Sequence, residues 1–462
     1  MAQTTPININ GTFPQLAIVA DHQPNRSEIG IGALMPWANR LWAVTYVAHL
    51  AESGGGSGLF EIDENMHLKK RPESVNGTYA NRMIHAPSNQ LIIGPHAIDM
   101  QGNVRTFPQI GDHRLTATME HLTNPKEMVY FLTMEGLLFE ANVNTLAVKL
   151  VSNLLEEPQL GLRKGIRPHF KGGYTAHGRV VVANNTLEES DYIGKTHDGL
   201  LAEWDGKTWT VLDRSQWLDV TGRKNLSEVI FATGNDPASI ILKAFVNGKW
   251  KTYRLPKATH TQDNTVTTEW PRIREVESER FMMNVGGLFY ELPPMAYGGN
   301  VWGIKPICQH LRIIGDYCSW RGLLVIAGDQ TTPVWDKNLY VGQPQSNFWF
   351  GKTDDLWHFG GKPAGWGGPW LRQSVKANEP SDPYLMTGFD KKVVHLSQQS
   401  ASEVDMRIEV DFVGDGSWML YKTIPVAANG YVHHEFPDGF SAQWVRVSAS
   451  KPCLATAYFN YN

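Results

Sequence analysis

Between His169 and Arg179 the chain sets His169, Lys171, Tyr174, His177 and Arg179 within eleven residues, a run able to hold an anion and move a proton. A cationic nitrogen holds a carboxylate through charge-assisted hydrogen bonds, and a guanidinium does so with a two-pronged fork. Neutralising a uronate carboxylate also eases removal of the proton α to it, because the charge that develops as an enolate meets fixed donors. A tyrosine or histidine then serves as the base. In this reading Tyr174 and His169 are the candidate catalysts, and Lys171 and Arg179 hold the acidic sugar.

Similar groups recur at the ends of apolar runs elsewhere. Asn81 with Arg82, His113 with Arg114, Arg280 and Arg312 stand where strands are expected to begin, and His49, His96, Asn184 and Asn185 where strands end. Each alone is an ordinary surface or core residue; together they form a cationic, hydrogen-bonding set with few carboxylates. Glycoside hydrolysis needs two placed carboxylates. No pair stands out by spacing among the 46 acidic residues, which tilts the chemistry toward elimination. His85, His121 and His177 precede tight turns in successive units, so they are expected to brace turns on the opposite face. Trp349, Trp357, Trp366 and Trp370 fit a sugar-stacking wall or lid as well as packing between sheets.

What must position these groups is a repeated unit. A Gly-Leu strand start recurs at Gly58-Leu59, Gly136-Leu137, Gly199-Leu200 and Gly287-Leu288. Around it run strand, tight turn, strand, longer loop and strand, the order of an antiparallel meander. Ile29 to Trp37 with Leu41 to His49, and Tyr79 to Ile84 with Gln90 to Ile93, are such pairs; a sixth unit is expected near Arg280 and a seventh near Arg312. Meanders repeated along a chain predict a radial array of small sheets. The expected fold is therefore all-β, a seven-bladed β-propeller over residues 14–393. Residues 394–462 are either the last blade with an appended β layer or a small β-sandwich.

Composition agrees and excludes alternatives. Of 462 residues 42% are hydrophobic, with 43 Gly and 26 Pro, which suits a large core cut by many turns, and no segment keeps helical periodicity for three turns. A net charge of −4 without a basic stripe argues against a nucleic-acid partner. No apolar run reaches a membrane span. Cys308, Cys318 and Cys453 make no disulfide framework and no paired metal motif, so free thiols are expected over a Cys308–Cys318 bridge. No His/Cys cluster has zinc spacing, and neither a phosphate-cradling Gly-rich loop nor a Gly-x-Ser-x-Gly turn is present. Met1 to Asn10 has no basic and apolar leader pattern, as in a mature, signal-stripped protein or a cytosolic one.

The phrases PNRSEIGIGALMPWANRLWAVTY, TYANRMIHAPSNQLIIGPH and HRLTATMEHL resemble the seven-bladed propeller enzymes that act on L-rhamnose-α-1,4-D-glucuronate caps of arabinogalactan. The resemblance covers most of residues 14–360. It implies an acidic glycan substrate, an extracytoplasmic setting and one of two chemistries: a lyase with a tyrosine base, matched here by Tyr174, or an α-L-rhamnosidase with a histidine, for which His22, His49 and His85 are all open. No cofactor is required for either. The resemblance admits a structural Ca²⁺ near the central channel, although no acidic loop announces one.

Overall fold

The computed structural model describes residues 11–19, 28–48, 58–75, 77–166, 168–186, 198–223, 228–259, 271–296, 298–310, 313–328, 330–331, 345–359 and 362–462. Among them the only α-helix is the single turn Leu356–Phe359, and none is long and apolar enough to cross a membrane. Seven antiparallel sheets follow one another along the chain. Their innermost strands are β1 (Glu28–Trp37), β2 (Arg82–His85), β3 (Arg114–Glu120), β4 (Phe170–Ala176), β5 (Gln216–Gly222), β6 (Arg272–Glu275) and β7 (Ile314–Trp320). Each packs beside the next, and β7 packs back against β1. A ring of sheets closed in this way is a β-propeller.

The repeated Gly-Leu phrase marks the start of the third strand in the first, third, fourth and sixth sheets. Positive φ at Gly58, Gly136 and Gly287 explains the glycine, since a side chain there is strained. Apolar residues face the neighbouring sheet. Leu41, Phe60, Val325 and Phe350 join the first and seventh sheets, while Leu132, Leu138, Val180 and Leu200 join the third and fourth.

Two expectations are corrected. The sixth unit begins at Arg272, not near Arg280; Phe281–Val285, read as its first strand, is its second. The seventh sheet is completed from the N-terminal side: Gly11 and Thr12 pair with Phe350 and Trp349 of the strand Gln345–Gly351. The chain beyond is accordingly free to build something else.

It builds a β-sandwich whose strands begin at Gly365 rather than at 394. One sheet holds β8 (Gly365–Val375), β10 (Lys392–Gln399), β13 (Tyr431–Glu435) and β15 (Cys453–Tyr461); the other holds β9 (Tyr384–Leu385), β11 (Val404–Asp411), β12 (Met419–Val426) and β14 (Trp444–Ala449). This second sheet continues the fifth propeller sheet, because Tyr384 pairs with Arg254 of its outer strand Lys249–Leu255. A single apolar cluster, with Leu242, Tyr290, Met406, Trp444 and Phe459, runs from the fifth and sixth sheets through the sandwich. The tail is thus fused to the propeller by core and backbone rather than tethered.

Candidate functional site

Five of the seven inner strands carry a bulge early in their course, at Ile31/Ala33, Leu115/Ala117, Phe170/Gly172, Trp217/Asp219 and Ile314/Asp316. A bulge re-aims the next side chain. In β5 and β7 that next residue is an aspartate, Asp219 and Asp316. Between them lies β6, whose Arg272 and Arg274, two apart, share one face of the strand. Arg82 of β2 comes from across the ring. In β4 the residue after the bulge is Gly172, where a Cβ would sit 3.1 Å from the Asp219 Cα, so glycine lets β4 and β5 close up.

These five charged groups form one buried network. Asp316 has no exposure; one carboxylate oxygen accepts from Arg82 Nε at 2.8 Å and from the Leu34 amide at 2.7 Å, and the other from Arg274 Nε at 2.7 Å. Asp219 accepts from the Ile273 amide at 2.9 Å and lies 3.5 Å from Arg272 and 3.7 Å from Arg274. Burial alone would raise the Asp316 carboxyl, but Arg274, Arg82 and Arg272 outweigh it and hold the group below the ordinary carboxylate value. Burial, followed by repulsion from Arg274, brings the Arg272 guanidinium down to about 10, still charged at neutral pH. Three guanidinium groups against two carboxylates leave the network with one positive charge in excess. A buried excess charge favours a counter-ion.

The network faces a cavity of about 580 Å³ that opens where the inner strands end; all seven inner strands, or the residues beside them, contribute to its lining. Arg82, Arg272, Arg274 and Asp219 line it, with Asn81, Thr118, Tyr174 and Thr175; Glu120, Arg223, Glu275 and Glu277 stand where β3, β5 and β6 end. Arg223 and Glu275 pair at 2.6 Å. Asn81 Nδ2 donates to the Gly94 carbonyl at 2.9 Å and to Thr118 Oγ1 at 2.7 Å, while Asn81 Oδ1 and Thr175 Oγ1 are buried without a partner. Such orphaned polar atoms cost free energy unless something fills the cavity. The Tyr174 phenol is pushed up to about 12 by burial and then by the charge of Glu120, so at neutral pH it donates rather than accepts a proton. Cys318 also lines the cavity, but burial raises its thiol to about 12, which rules it out as a thiolate nucleophile.

The sequence expectations divide at this point. Tyr174, Arg82 and Asn81 meet in one cavity; the other described members of the expected array do not line it. His169 and Lys171 lie toward the other end of β4, about 16 Å and about 10 Å along the strand from Tyr174. There His169 Nδ1 bonds Asn185 Oδ1 at 2.7 Å, and Asn184 Oδ1 accepts from the Thr186 amide at 2.6 Å. His113 packs on Phe139, Arg114 pairs with Glu135, and Arg179 pairs with Glu203 at 2.8 Å over the Phe245 ring. His96 is fully buried against Thr106 and Tyr79. Arg280 is exposed in the turn after β6. His22, His49 and Arg312 lie outside the described residues.

His85 is no catalyst: Nδ1 bonds Ser88 Oγ at 2.6 Å and Nε2 the Pro125 carbonyl at 2.9 Å, so both ring nitrogens are committed. His121, whose Nδ1 accepts from the Asn124 amide at 3.0 Å, also braces its turn, whereas His177 bonds the Glu228 carbonyl of the next sheet; the three stand where inner strands end and the cavity opens, not on the opposite face as expected. No described histidine lines the cavity, and none of the four tryptophans does. Trp370 is buried in the sandwich. All three cysteines are free. The carboxylates nearest the axis are occupied by guanidinium groups, and no cluster of three His, Cys, Asp or Glu lies among the described residues, so the donor set does not fit a channel Ca²⁺.

The decisive pair that sequence reading missed is Arg272 and Arg274. Their signal was present as Arg-x-Arg at strand period before an apolar strand.

No protein-family model and no curated protein matches the chain. Among solved structures it is similar to the RRP9 WD40 repeats, with 10% identity and a TM-score of 0.41 over 74% of this chain and 100% of that one. It is also similar to PorZ of the Porphyromonas gingivalis type-IX secretion system, with 9% identity and a TM-score of 0.38 over 88% of this chain and 46% of that one. A third is the Cps50 (Swd1) β-propeller domain of Myceliophteria thermophila, with 13% identity and a TM-score of 0.38 over 69% and 96%. Likeness this distant says nothing about chemistry, which rests on the cavity.

Proposed function

We propose that the protein is a glycan-cleaving enzyme that takes the L-rhamnose-α-1,4-D-glucuronate end of an arabinogalactan-type chain into this cavity. The single observation that carries the reading is the cluster of Arg82, Arg272 and Arg274 against Asp219 and Asp316 at its base, a local positive excess set apart from the Glu120, Glu275 and Glu277 carboxylates at its mouth, which suits a uronate carboxylate. The phrases that resemble the rhamnose–glucuronate enzymes supply the identity of the sugar pair. An extracytoplasmic setting follows from such a substrate.

In the elimination we favour, Arg82 and Arg274 hold the carboxylate and stabilise the enolate, with Arg272, engaged by Asp219 and the Ala80 carbonyl, adding its charge from behind. A base removes the glucuronate C5 proton, that electron pair forms the C4–C5 double bond, and the C4–O bond breaks so that rhamnose leaves with its glycosidic oxygen. Tyr174, expected from sequence to be the base, fits the acid better, because its phenol stays protonated and supplies the proton that oxygen needs. Glu120, which lines the same cavity and is near enough to raise Tyr174, would accept the C5 proton.

One observation favours hydrolysis as a second reading: Glu120, Glu275 and Glu277 share the cavity, which supplies the carboxylates that sequence spacing had not picked out. A histidine mechanism finds no described histidine there. Incubation with rhamnose-capped arabinogalactan separates the readings. Elimination releases rhamnose and creates an ultraviolet-absorbing unsaturated uronate, hydrolysis releases rhamnose without that band, and a binding propeller releases none. Absence of rhamnose release would remove the enzyme reading.

A further inference from the structure

The sheet β8–β15–β10–β13 turns one face to the sandwich core and the other to solvent. Val394, Leu396, Ala455, Ala457 and Phe459 are buried on the inner face. Alternation therefore points His395, Ser397, Tyr431, His433, Tyr458 and Asn460 outward. The register sets His395 opposite both His433 and Tyr458, and Ser397 opposite Tyr431 and Thr456. Along the outward positions of β10, β13 and β15 the only full charge is Glu435. The other sheet of the sandwich contrasts with this: its partly or fully exposed positions include Arg407, Glu409, Lys422 and Arg446, with Arg446 and Glu409 paired at 2.9 Å. That is an ordinary solvated face; the first is not.

Its side chains are also held in place. Asn460 Nδ2 donates to His395 Nε2 at 3.0 Å, so that nitrogen carries no proton. The proton sits on Nδ1, which donates to the Tyr431 hydroxyl at 2.8 Å. The hydroxyl hydrogen of Tyr431 is then left to donate outward from a residue 61% exposed. The Tyr431 ring lies within 15° of parallel to His395 at 6.0 Å and within 27° of His433 at 6.4 Å. Burial and then the charge of His433 lower the His395 imidazole, which keeps it neutral near pH 7. An exposed tyrosine ordinarily swings freely; fixing this one beforehand reduces the entropy lost when something settles on it.

We propose that this outward face is a carbohydrate-binding platform for a neutral, hydroxyl-rich glycan chain. Ring faces pack on the C–H faces of pyranoses, while Tyr431, Asn460, Ser397 and Thr456 exchange hydrogen bonds with hydroxyls. Apart from Glu435 and the exposed Arg372 of β8 beside Thr456, the face carries no formal charge, which matches an uncharged ligand, because no ion at its centre has to shed its hydration to bind. The platform does not depend on the reaction proposed for the propeller cavity: Trp366 and Tyr458, on paired strands of the sandwich, are not among the cavity's lining residues.

Affinity electrophoresis of the full chain, in gels cast with neutral galactan, arabinan or xylan and with polygalacturonate as the acidic comparison, tests this. At least one neutral polysaccharide should slow migration, independently of salt. Tyr431→Ala and Tyr458→Ala should each weaken that retardation roughly tenfold, while Arg407→Ala on the other sheet should not. Rhamnose release from a small soluble substrate should be unchanged in both tyrosine variants, so failure of the platform and failure of the cavity reading are distinguishable. Retardation by polygalacturonate alone, no retardation by any neutral chain, or a sedimenting dimer that Tyr431→Ala dissolves would each overturn the proposal.

Discussion

Acidification should weaken this protein through His96, and the size of the loss follows from its surroundings. The imidazole has no exposure; Nδ1 meets Thr106 Oγ1 at 2.9 Å, Nε2 is buried without a partner, and the Tyr79 ring stands edge-on at 6.5 Å. Burial drives its pKa from 6.5 down to about 4, against a weak opposing pull from Glu73. The native state therefore resists a proton that the unfolded chain accepts below about pH 6.5. Stability is complete above that pH and falls as the pH drops toward 4, because the unfolded chain then binds more protons. At about 1.4 kcal/mol per unit, the contribution lost by pH 5 is about 2 kcal/mol, and about 3 kcal/mol by pH 4. Urea unfolding followed by tryptophan fluorescence at pH 7 and pH 5 measures it. His96→Asn should start less stable at pH 7 yet lose about 2 kcal/mol less than wild type over that interval. Parallel losses in the two proteins would refute the buried neutral imidazole.

Two further perturbations probe the channel. Asp316→Asn removes the carboxylate that accepts from both Arg82 and Arg274, leaving buried guanidinium groups uncompensated; chemical denaturation should show a loss of about 3–5 kcal/mol. A loss under about 1 kcal/mol would mean the network is solvated. Gly222→Ala would put a Cβ 2.6 Å from the Tyr174 ring and 2.8 Å from the Val229 carbonyl oxygen, so the ring must move. Rhamnose release should then drop on the order of a hundredfold in a protein that keeps its circular dichroism; unchanged turnover would take Tyr174 out of the reaction.

The propeller was legible because its signals are local. Turn chemistry and the Gly-Leu start of third strands repeat along the chain, and His85 and His121 sit directly before turns that they brace. The site was legible only in part, because it is assembled by register. A one-residue bulge decides that Asp219 and Asp316 enter the channel, and nothing in their flanking residues distinguishes them from the other acids. Starting the sixth unit one strand late put Arg280 where Arg272 and Arg274 belong. Grouping His169, Lys171 and Tyr174 by closeness in sequence failed for a plain reason: an extended strand carries neighbours apart at about 3.3 Å per residue. The sandwich boundary was displaced because strand β8 follows the seventh sheet after a short connection and shares its aromatic, glycine-rich composition.

The charge excess at the base of the cavity is tested most directly by calorimetric titration with D-glucuronate and with D-glucose. Replacing Arg82 by methionine leaves two guanidinium groups against two carboxylates, a balanced set that should still fold. Wild type should bind glucuronate in clear preference to glucose, and Arg82→Met should lose about 2 kcal/mol, roughly thirtyfold in Kd, for glucuronate alone. Equal affinity for the two sugars, or glucuronate binding untouched by Arg82→Met, would contradict an arginine cluster at the cavity base that holds an acidic sugar.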